Sequence, residues 1–336
     1  MNIIIFTDHI NERGTTVSNL DMYDFFNNHL GWRCKLVICG PLKDINISII
    51  PNYVSYVLVD DISEINMVGA FDYIYFLRSG DGHIIDDVVA KDKLLNHIVF
   101  PTSASQLNSL SNVFFISRWL AEIYQSDRFV PHILRRPENI VDDMREELNI
   151  EKTDLVVGCI GGKTSFDIGF VRRFIAESTL SNVYFVFVNI EKFVEKENVI
   201  FLPTITDFDL KERFINSCDV MLHGRKLGES FGIACAEFAM RGKSILTFKH
   251  SLHRNHLEML SNNVIQYGSS SDLHHMLSNF IPNRYCDINL RSSRYENIRH
   301  AFNIVIETPS TKVSHFRYVW YKVKMILRYF VGRIVS

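Results

Sequence analysis

Two glutamates, Glu229 and Glu237, stand eight positions apart in the string GESFGIACAE, among small and apolar residues. A buried carboxylate without a partner costs several kcal/mol, so a chain that places one there has a use for it. The loop Gly228-Glu229-Ser230-Phe231-Gly232 follows a strand-like run at 219–223. It precedes a helix-forming segment at 231–241 that stops at Gly242. A strand-to-helix loop of this kind offers free backbone N–H groups and the positive end of a helix, which together suit an anion. Glu229 falls on the loop and Glu237 about two turns into the helix. The two would therefore grip separate parts of one extended ligand. Arg225 and Lys226 add positive charge just upstream.

A second glycine turn, Gly161-Gly162-Lys163, follows the run at 155–160. It invites a phosphate-loop reading, but the Walker spacing fails. The first glycine of that pattern would have to be residue 157, which is Val157, and Gly158 comes one place too late. In the first half, Gly14 ends a loop after the run at 3–7 and would let a ligand approach the backbone. His97 sits at the start of a run at 98–100, where a histidine serves either packing or proton chemistry.

These residues need elements to hold them. Short apolar runs at 3–7, 35–39, 54–59, 73–77, 98–100 and 113–117 read as strands covered on both faces. Helical patterns fit between them, at 16–30 and 118–126 for example. The rhythm restarts after a polar, proline-bearing passage at 135–154. Strands are then expected at 155–160, 183–188, 199–202, 220–223, 244–248 and 264–267. This is α/β alternation in two Rossmann-like, doubly wound domains, expected at 1–133 and 134–308. Ligands of such sheets sit beyond the carboxyl ends of the strands, so facing strand ends would form a cleft.

The tail, 309–336, differs. From 311 to 336 it carries six Lys/Arg and no acid, interleaved with aromatic and aliphatic residues. A basic amphipathic helix is expected there, either packed on the first domain or laid on an anionic membrane surface.

With 336 residues, 47% apolar and 22% charged, the chain reads as globular, and its net charge of -2 excludes a generally basic nucleic-acid binder. The six cysteines form no C-x-x-C pair and read as buried thiols. Neither a signal peptide nor a stretch long enough to span a bilayer is visible, so a cytoplasmic protein, peripheral to a membrane at most, is expected.

The string from Ser217-Cys-Asp-Val-Met-Leu-His through Gly-Glu-Ser-Phe-Gly to Ala-Met-x-Gly-Lys-x-Ile-Leu resembles the donor site of family-4 glycosyltransferases of the GT-B fold. The similarity runs over about 155–268 and is patchy before it. It implies that Glu229 holds the hydroxyls of the donor sugar and Glu237 the ribose of the nucleotide. Backbone N–H groups of Ser230, Phe231 and Gly232 would face the diphosphate. Lys163, next to Gly162, would take the place of the family's diphosphate lysine, while Cys159 stands where an arginine is usual. Arg225 or Lys226 would then supply the missing charge. Gly14 matches the N-terminal glycine loop, and His97 a cleft histidine near the reacting centre. The segment 78–82 reads as an acceptor loop and His132 as hinge or cleft wall.

Asp207-Phe-Asp209 imitates the metal motif of the other large glycosyltransferase fold. With Glu212 three places after Asp209 it reads instead as a helix cap, so neither a metal nor a further cofactor is expected. The resemblance thus implies a retaining transferase moving sugar from a nucleotide-diphosphate sugar to a glycan or lipid-linked hydroxyl. The alternatives are an inactive nucleotide-sugar-binding protein, which Cys159 favours, and an epimerase of the same fold.

Overall fold

Runs such as Ile3-Ile-Ile-Phe6 have no polar face to offer water, and the structure covers both of their faces. The computed structural model describes residues 1–11, 14–78, 85–135, 142–260, 263–282, 293–308 and 312–335. The chain divides into one unit of Met1–Ile133 with Leu290–Lys322 and another of Leu134–Asn289 with Val323–Ser336. Each is built round one six-stranded parallel sheet. The fold is mixed α/β.

In the first unit the strands are β1 (Asn2–Thr7), β2 (Arg33–Ile38), β3 (Tyr56–Leu58), β4 (Tyr73–Arg78), β5 (Leu94–Ile98) and β6 (Val113–Phe115). Their order in the sheet is β3-β2-β1-β4-β5-β6. Helices α1 (Gly14–Asp24), α2 (Ile85–Val88) and α3 (Ala104–Ser109) lie between strands, and α4 (Arg118–Ile123) follows β6. The helix expected at 16–30 is α-helical only to Asp24. It widens into a π turn at Phe25–His29, where Phe25 and Phe26 are fully buried.

The strand expected at 98–100 lies earlier, as β5. Its parallel register on β4 pairs Ile74 with Leu94 and Arg78 with Ile98. The polar pair Asn96 and His97 hides this strand from a search for apolar runs. Both are buried and bonded: Arg78 Nε donates to Asn96 Oδ1 at 2.7 Å, and His97 Nδ1 lies 2.6 Å from the Tyr75 hydroxyl.

The second sheet runs β14-β12-β10-β7-β8-β9. Its strands β7 (Leu155–Ile160), β8 (Val183–Val188), β9 (Val199–Leu202), β10 (Val220–His223), β12 (Ser244–Phe248) and β14 (Val264–Tyr267) have the bounds read from the sequence. Two short strands outside that sheet, β11 (Gly228–Glu229) and β13 (His253–Arg254), pair with each other. Helices α5 (Gly169–Glu177), α6 (Phe208–Ser217), α7 (Ile233–Met240), α8 (Asn255–Leu260) and α9 (Ser270–Ser278) complete this unit. Both layers flanking the sheet are apolar, one with Phe166, Phe170 and Phe187, the other with Phe214, Cys235 and Phe238.

Two expectations are corrected. The cap of α6 is Asp207, not Asp209, because Asp207 is extended and its Oδ1 receives the Leu210 N–H at 2.8 Å. The segment at 295–307, expected in the second domain, forms α10 (Tyr295–Glu307) and belongs to the first unit. Its Phe302 packs among Phe25, Phe26, Trp32 and Phe114, and Arg128 donates to Val305 O and Thr308 O. The last helix is α11 (His315–Val335), whose Tyr318 stacks on Tyr124.

The turns after β1 and β2 come close together. A Cβ built on Gly40 would lie 1.9 Å from the Asp8 carbonyl oxygen, so only glycine fits without parting two backbones. Gly40→Ala is expected to cost about 1–3 kcal/mol of stability. Urea unfolding should show a lower midpoint at an unchanged slope.

Candidate donor-binding site

In the second sheet the chain runs from β7 outward through β8 to β9, then returns to the other side of β7 as β10. The loops after β7 and β10 therefore leave the sheet in opposite directions from adjacent strand ends. Such a reversal opens a crevice at the carboxyl edge of a parallel sheet. Gly161, Gly162 and Lys163 follow β7, and Gly224 to Gly232 follow β10.

Several contacts shape the loop that carries Glu229. Gly224 lies against Phe166, whose ring a Cβ would meet at 2.3 Å. The Lys226 N–H donates to Asp167 Oδ1 at 2.6 Å, and Gly228 takes φ +72 with no room for a side chain against the His253 carbonyl. β11 pairs with β13, and Asn255 Nδ2 donates to Phe231 O at 2.8 Å. Gly232 has φ +97, outside helical space, and therefore caps α7. This is why α7 starts two residues later than the sequence suggested. Its far end is a Schellman turn: Gly242 at φ +72 donates to Ala239 O and Lys243 to Phe238 O.

Glu229 is part-buried, with its side chain 22% exposed. Arg225 Nη1 lies 3.1 Å from both carboxylate oxygens, and His223 Nε2 lies 3.3 Å from one of them. Burial pushes this carboxyl upward, but the His223 bond and the Arg225 charge prevail and hold it down at about 2. Glu229 is thus an anion with two donors behind it. It can accept hydrogen bonds from a polyol.

His223 is itself held. Its Nδ1 lies 2.8 Å from Thr247 Oγ1, which lies 3.0 Å from His256 Nε2, and its carbonyl receives the Tyr267 hydroxyl at 3.0 Å. Sequence reasoning did not single out His223, Thr247 or His256. Only the position of a histidine at the last residue of a strand, just before the glutamate loop, could have flagged His223.

Glu237 is placed on α7 with its side chain 13% exposed, and it is paired with Lys211 of α6. Burial raises its carboxyl, with Lys211 acting against that. Lys211 is a second partner that the sequence did not reveal. Lys163 lies exposed in a turn closed by Ser165 N–H on Gly162 O. Cys159 is inside β7 and buried in the core, its thiol pushed up to about 12 by burial and by the Glu229 charge. A cation at that position would be embedded among apolar groups.

Among the predicted residues, the structure therefore joins Glu229 to Arg225, and places Ser230, Phe231 and Gly232 at the entry to α7. Gly14 and His97 belong to the first unit. Gly14 opens α1. His97 is buried, with Nδ1 on Tyr75 and Nε2 2.8 Å from Val130 O, so both ring nitrogens are engaged within that unit. His132 is buried beside it and bonded to Ser18. Of the expected acceptor loop at 78–82 only Arg78 lies within the described residues. Among the described residues no group of three His, Cys, Asp or Glu is placed to hold a metal ion.

No protein-family model and no curated protein sequence matches the chain. Solved structures do. HepE of Anabaena in complex with UDP and glucose superposes with a TM-score of 0.62 at 14% identity, over 91% of this chain and 94% of that one. The fold is GT-B. A glycosyltransferase of Rickettsia africae (TM-score 0.57, 12% identity, 99% and 98% coverage) has the same architecture. So does the UDP-GlcNAc 2-epimerase of Neisseria meningitidis bound to UDP-GlcNAc (TM-score 0.58, 10% identity, 92% and 100% coverage).

Burial holds four imidazoles neutral: His253 down at about 4, His132 at about 3, and His97 and His256 well below the ordinary value. A histidine whose folded value is depressed favours the folded state above its unfolded value, near 6.5, and that stability is lost as pH falls below it. Each should contribute a slope of about 1.4 kcal/mol per pH unit between those values. Glu229 contributes nothing to this window, since its stabilisation is lost only as pH falls from its unfolded value through about 2. Thermal unfolding followed from pH 7 to pH 5 should show a steadily falling midpoint. A flat profile would mean that these rings are solvated.

Proposed function

We propose that this protein is a glycosyltransferase that moves a sugar from a nucleotide-diphosphate sugar to a hydroxyl acceptor. The observation that carries the reading is the ionised Glu229, held by Arg225 and His223 on a rigid loop at the switch point of a Rossmann-like sheet. A carboxylate so placed accepts from the hydroxyls of a sugar, and in this reading the segment of Ser230, Phe231 and Gly232 at the entry to α7 faces the diphosphate. Lys163 adds an exposed cation at the adjacent strand end. HepE, which has this fold, binds UDP-glucose in a solved complex, and uridine diphosphate glucose is accordingly the donor to try first.

In this reading the second unit binds the donor and the first the acceptor, a glycan or lipid-linked hydroxyl. Diphosphate departure is eased by Lys163 and the start of α7, without a metal. The sugar is transferred with retention, the acceptor hydroxyl arriving on the face from which the diphosphate leaves. Glu237 takes the ribose, exchanging part of its pairing with Lys211 for the two ribose hydroxyls. His97 acts near the reacting centre only if its ring leaves one of its two present partners.

One observation favours an inactive nucleotide-sugar-binding protein instead: a neutral, buried thiol at residue 159, where the resemblance expects an arginine. A single set of assays separates the readings. The unmodified protein should show donor-dependent transfer that survives EDTA. Glu229→Ala should lower it on the order of 10²–10⁴-fold, since two charge-assisted hydrogen bonds of about 1.5–3 kcal/mol each are lost. Donor binding without turnover would select the binding protein, and a product formed without acceptor would select an epimerase.

The tail belongs to the same reading. Val319, Trp320, Val323, Ile326 and Leu327 are exposed on α11 and fall within an arc of roughly 120°. Arg317 and Lys324 flank one side of that arc and Lys322 the other. This is the layout of a helix lying in an anionic interface, its cations reaching the headgroups. Among the described residues no helix is long and apolar enough to cross a membrane. Binding to anionic vesicles, absent with neutral ones, should be lost in Trp320→Ser/Ile326→Ser/Leu327→Ser. Equal binding by that variant would exclude this surface.

A further inference from the structure

The loops after three neighbouring strands, β7, β8 and β9, meet at one side chain. Asn189 directly follows β8. Its backbone is left-handed at φ +57, a conformation that glycine and asparagine adopt more readily than other residues. The ladder continues through it: the Asn189 N–H donates to Leu202 O at 3.2 Å, and the Gly161 N–H donates to Val188 O at 3.3 Å.

The orientation of its amide follows from what it faces. One end lies 2.9 Å from Gly161 O, and a carbonyl oxygen only accepts, so Nδ2 is on that side. Oδ1 is then turned to Thr204 and receives its hydroxyl at 2.8 Å. The turn beyond Gly161 is closed twice more, by the Ser165 N–H on Gly162 O at 2.8 Å and by the Glu191 N–H on Lys163 O at 2.9 Å. A Cβ at Gly161 would meet Ser165 Oγ at 2.3 Å, so the turn lies close on itself. Gly162 and Lys163 are exposed on it.

A glycine at residue 189 would supply the left-handed backbone without strain. Asparagine supplies the same backbone and adds a donor and an acceptor, and both are used. We propose that Asn189 is a positioning residue for the diphosphate of a nucleotide donor, clasping the turn from Gly161 to Ser165 and so fixing the root of the Lys163 side chain. The choice of ligand rests on the nucleotide-sugar reading, but the clasp does not. A loose turn would have to be ordered again at every binding event, whereas a clasped one is ordered when the chain folds. The clasp should therefore act on affinity for the phosphates and not for the nucleoside.

Hydrogen exchange and ligand titration of the full-length protein test it. Asn189→Gly keeps the backbone conformation and removes both side-chain bonds. In that variant the amides of Ser165 and Glu191 should exchange about three- to tenfold faster. Those of Leu155 and Phe185, bonded to Asn182 O and Asn198 O away from the turn, should be unchanged. The dissociation constant for uridine diphosphate should rise about three- to tenfold, while that for uridine stays the same. Asn189→Asp keeps an oxygen for the Thr204 hydroxyl but sets another against Gly161 O, and should free the turn at least as much. Unchanged exchange at Ser165 and Glu191 in either variant would overturn the clasp. Faster exchange with an unchanged constant for uridine diphosphate, or an equal loss for uridine, would overturn the diphosphate role. If the unmodified protein binds no uridine diphosphate, the donor reading fails and takes the diphosphate role with it, while the exchange rates still decide the clasp.

Discussion

A carboxylate in a part-buried site stays charged only while donors stand within reach of it, and the Glu229 loop is organised around that requirement. Arg225 comes from the same loop, four residues earlier, and His223 from the last position of β10. Neither would reach the carboxylate if Gly224 and Gly228 carried side chains, since Phe166 occupies the space at one and the His253 carbonyl the space at the other. The charge, the turn and the packing therefore stand or fall together. Removing a single donor would leave a charge half-compensated in a part-buried site.

The sheet supplies the remaining constraint. Because β10 returns to the side of β7 away from β8, the loops following these two strands leave from neighbouring ends. The position of the site follows from this reversal before any side chain is considered. What the side chains add is sign: an anion at Glu229 and a cation at Lys163. Glu237 answers the cost of its burial differently, through Lys211 on the neighbouring helix.

Much of the second unit was legible in the sequence because its strands are nearly all apolar and bounded by turn residues. Six strands from Leu155 to Tyr267 have the expected limits for that reason. β5 was misplaced because Asn96 and His97 satisfy their polar atoms inside the sheet, a pairing that no periodicity announces. The segment Tyr295–Glu307 was placed in the second domain with the residues that precede it, while its Phe302 packs against Phe25, Phe26, Trp32 and Phe114 of the first. In the site, Glu229 and Arg225 could be named from local spacing. Thr247, His256 and Lys211 could not, because each acts from a separate strand or helix and is recognisable only by what it touches.

The pairing of β11 with β13 also bears on the thermodynamics of recognition. A glutamate on a loose loop would lose conformational freedom whenever a ligand arrived, at about 1–2 kcal/mol of entropy for each backbone residue brought to order. Here residues 228 and 229 are already in register with 253 and 254, and Asn255 already clasps Phe231. That ordering is met once, when the chain folds. A ligand reaching Glu229 finds its cost of immobilisation confined largely to itself.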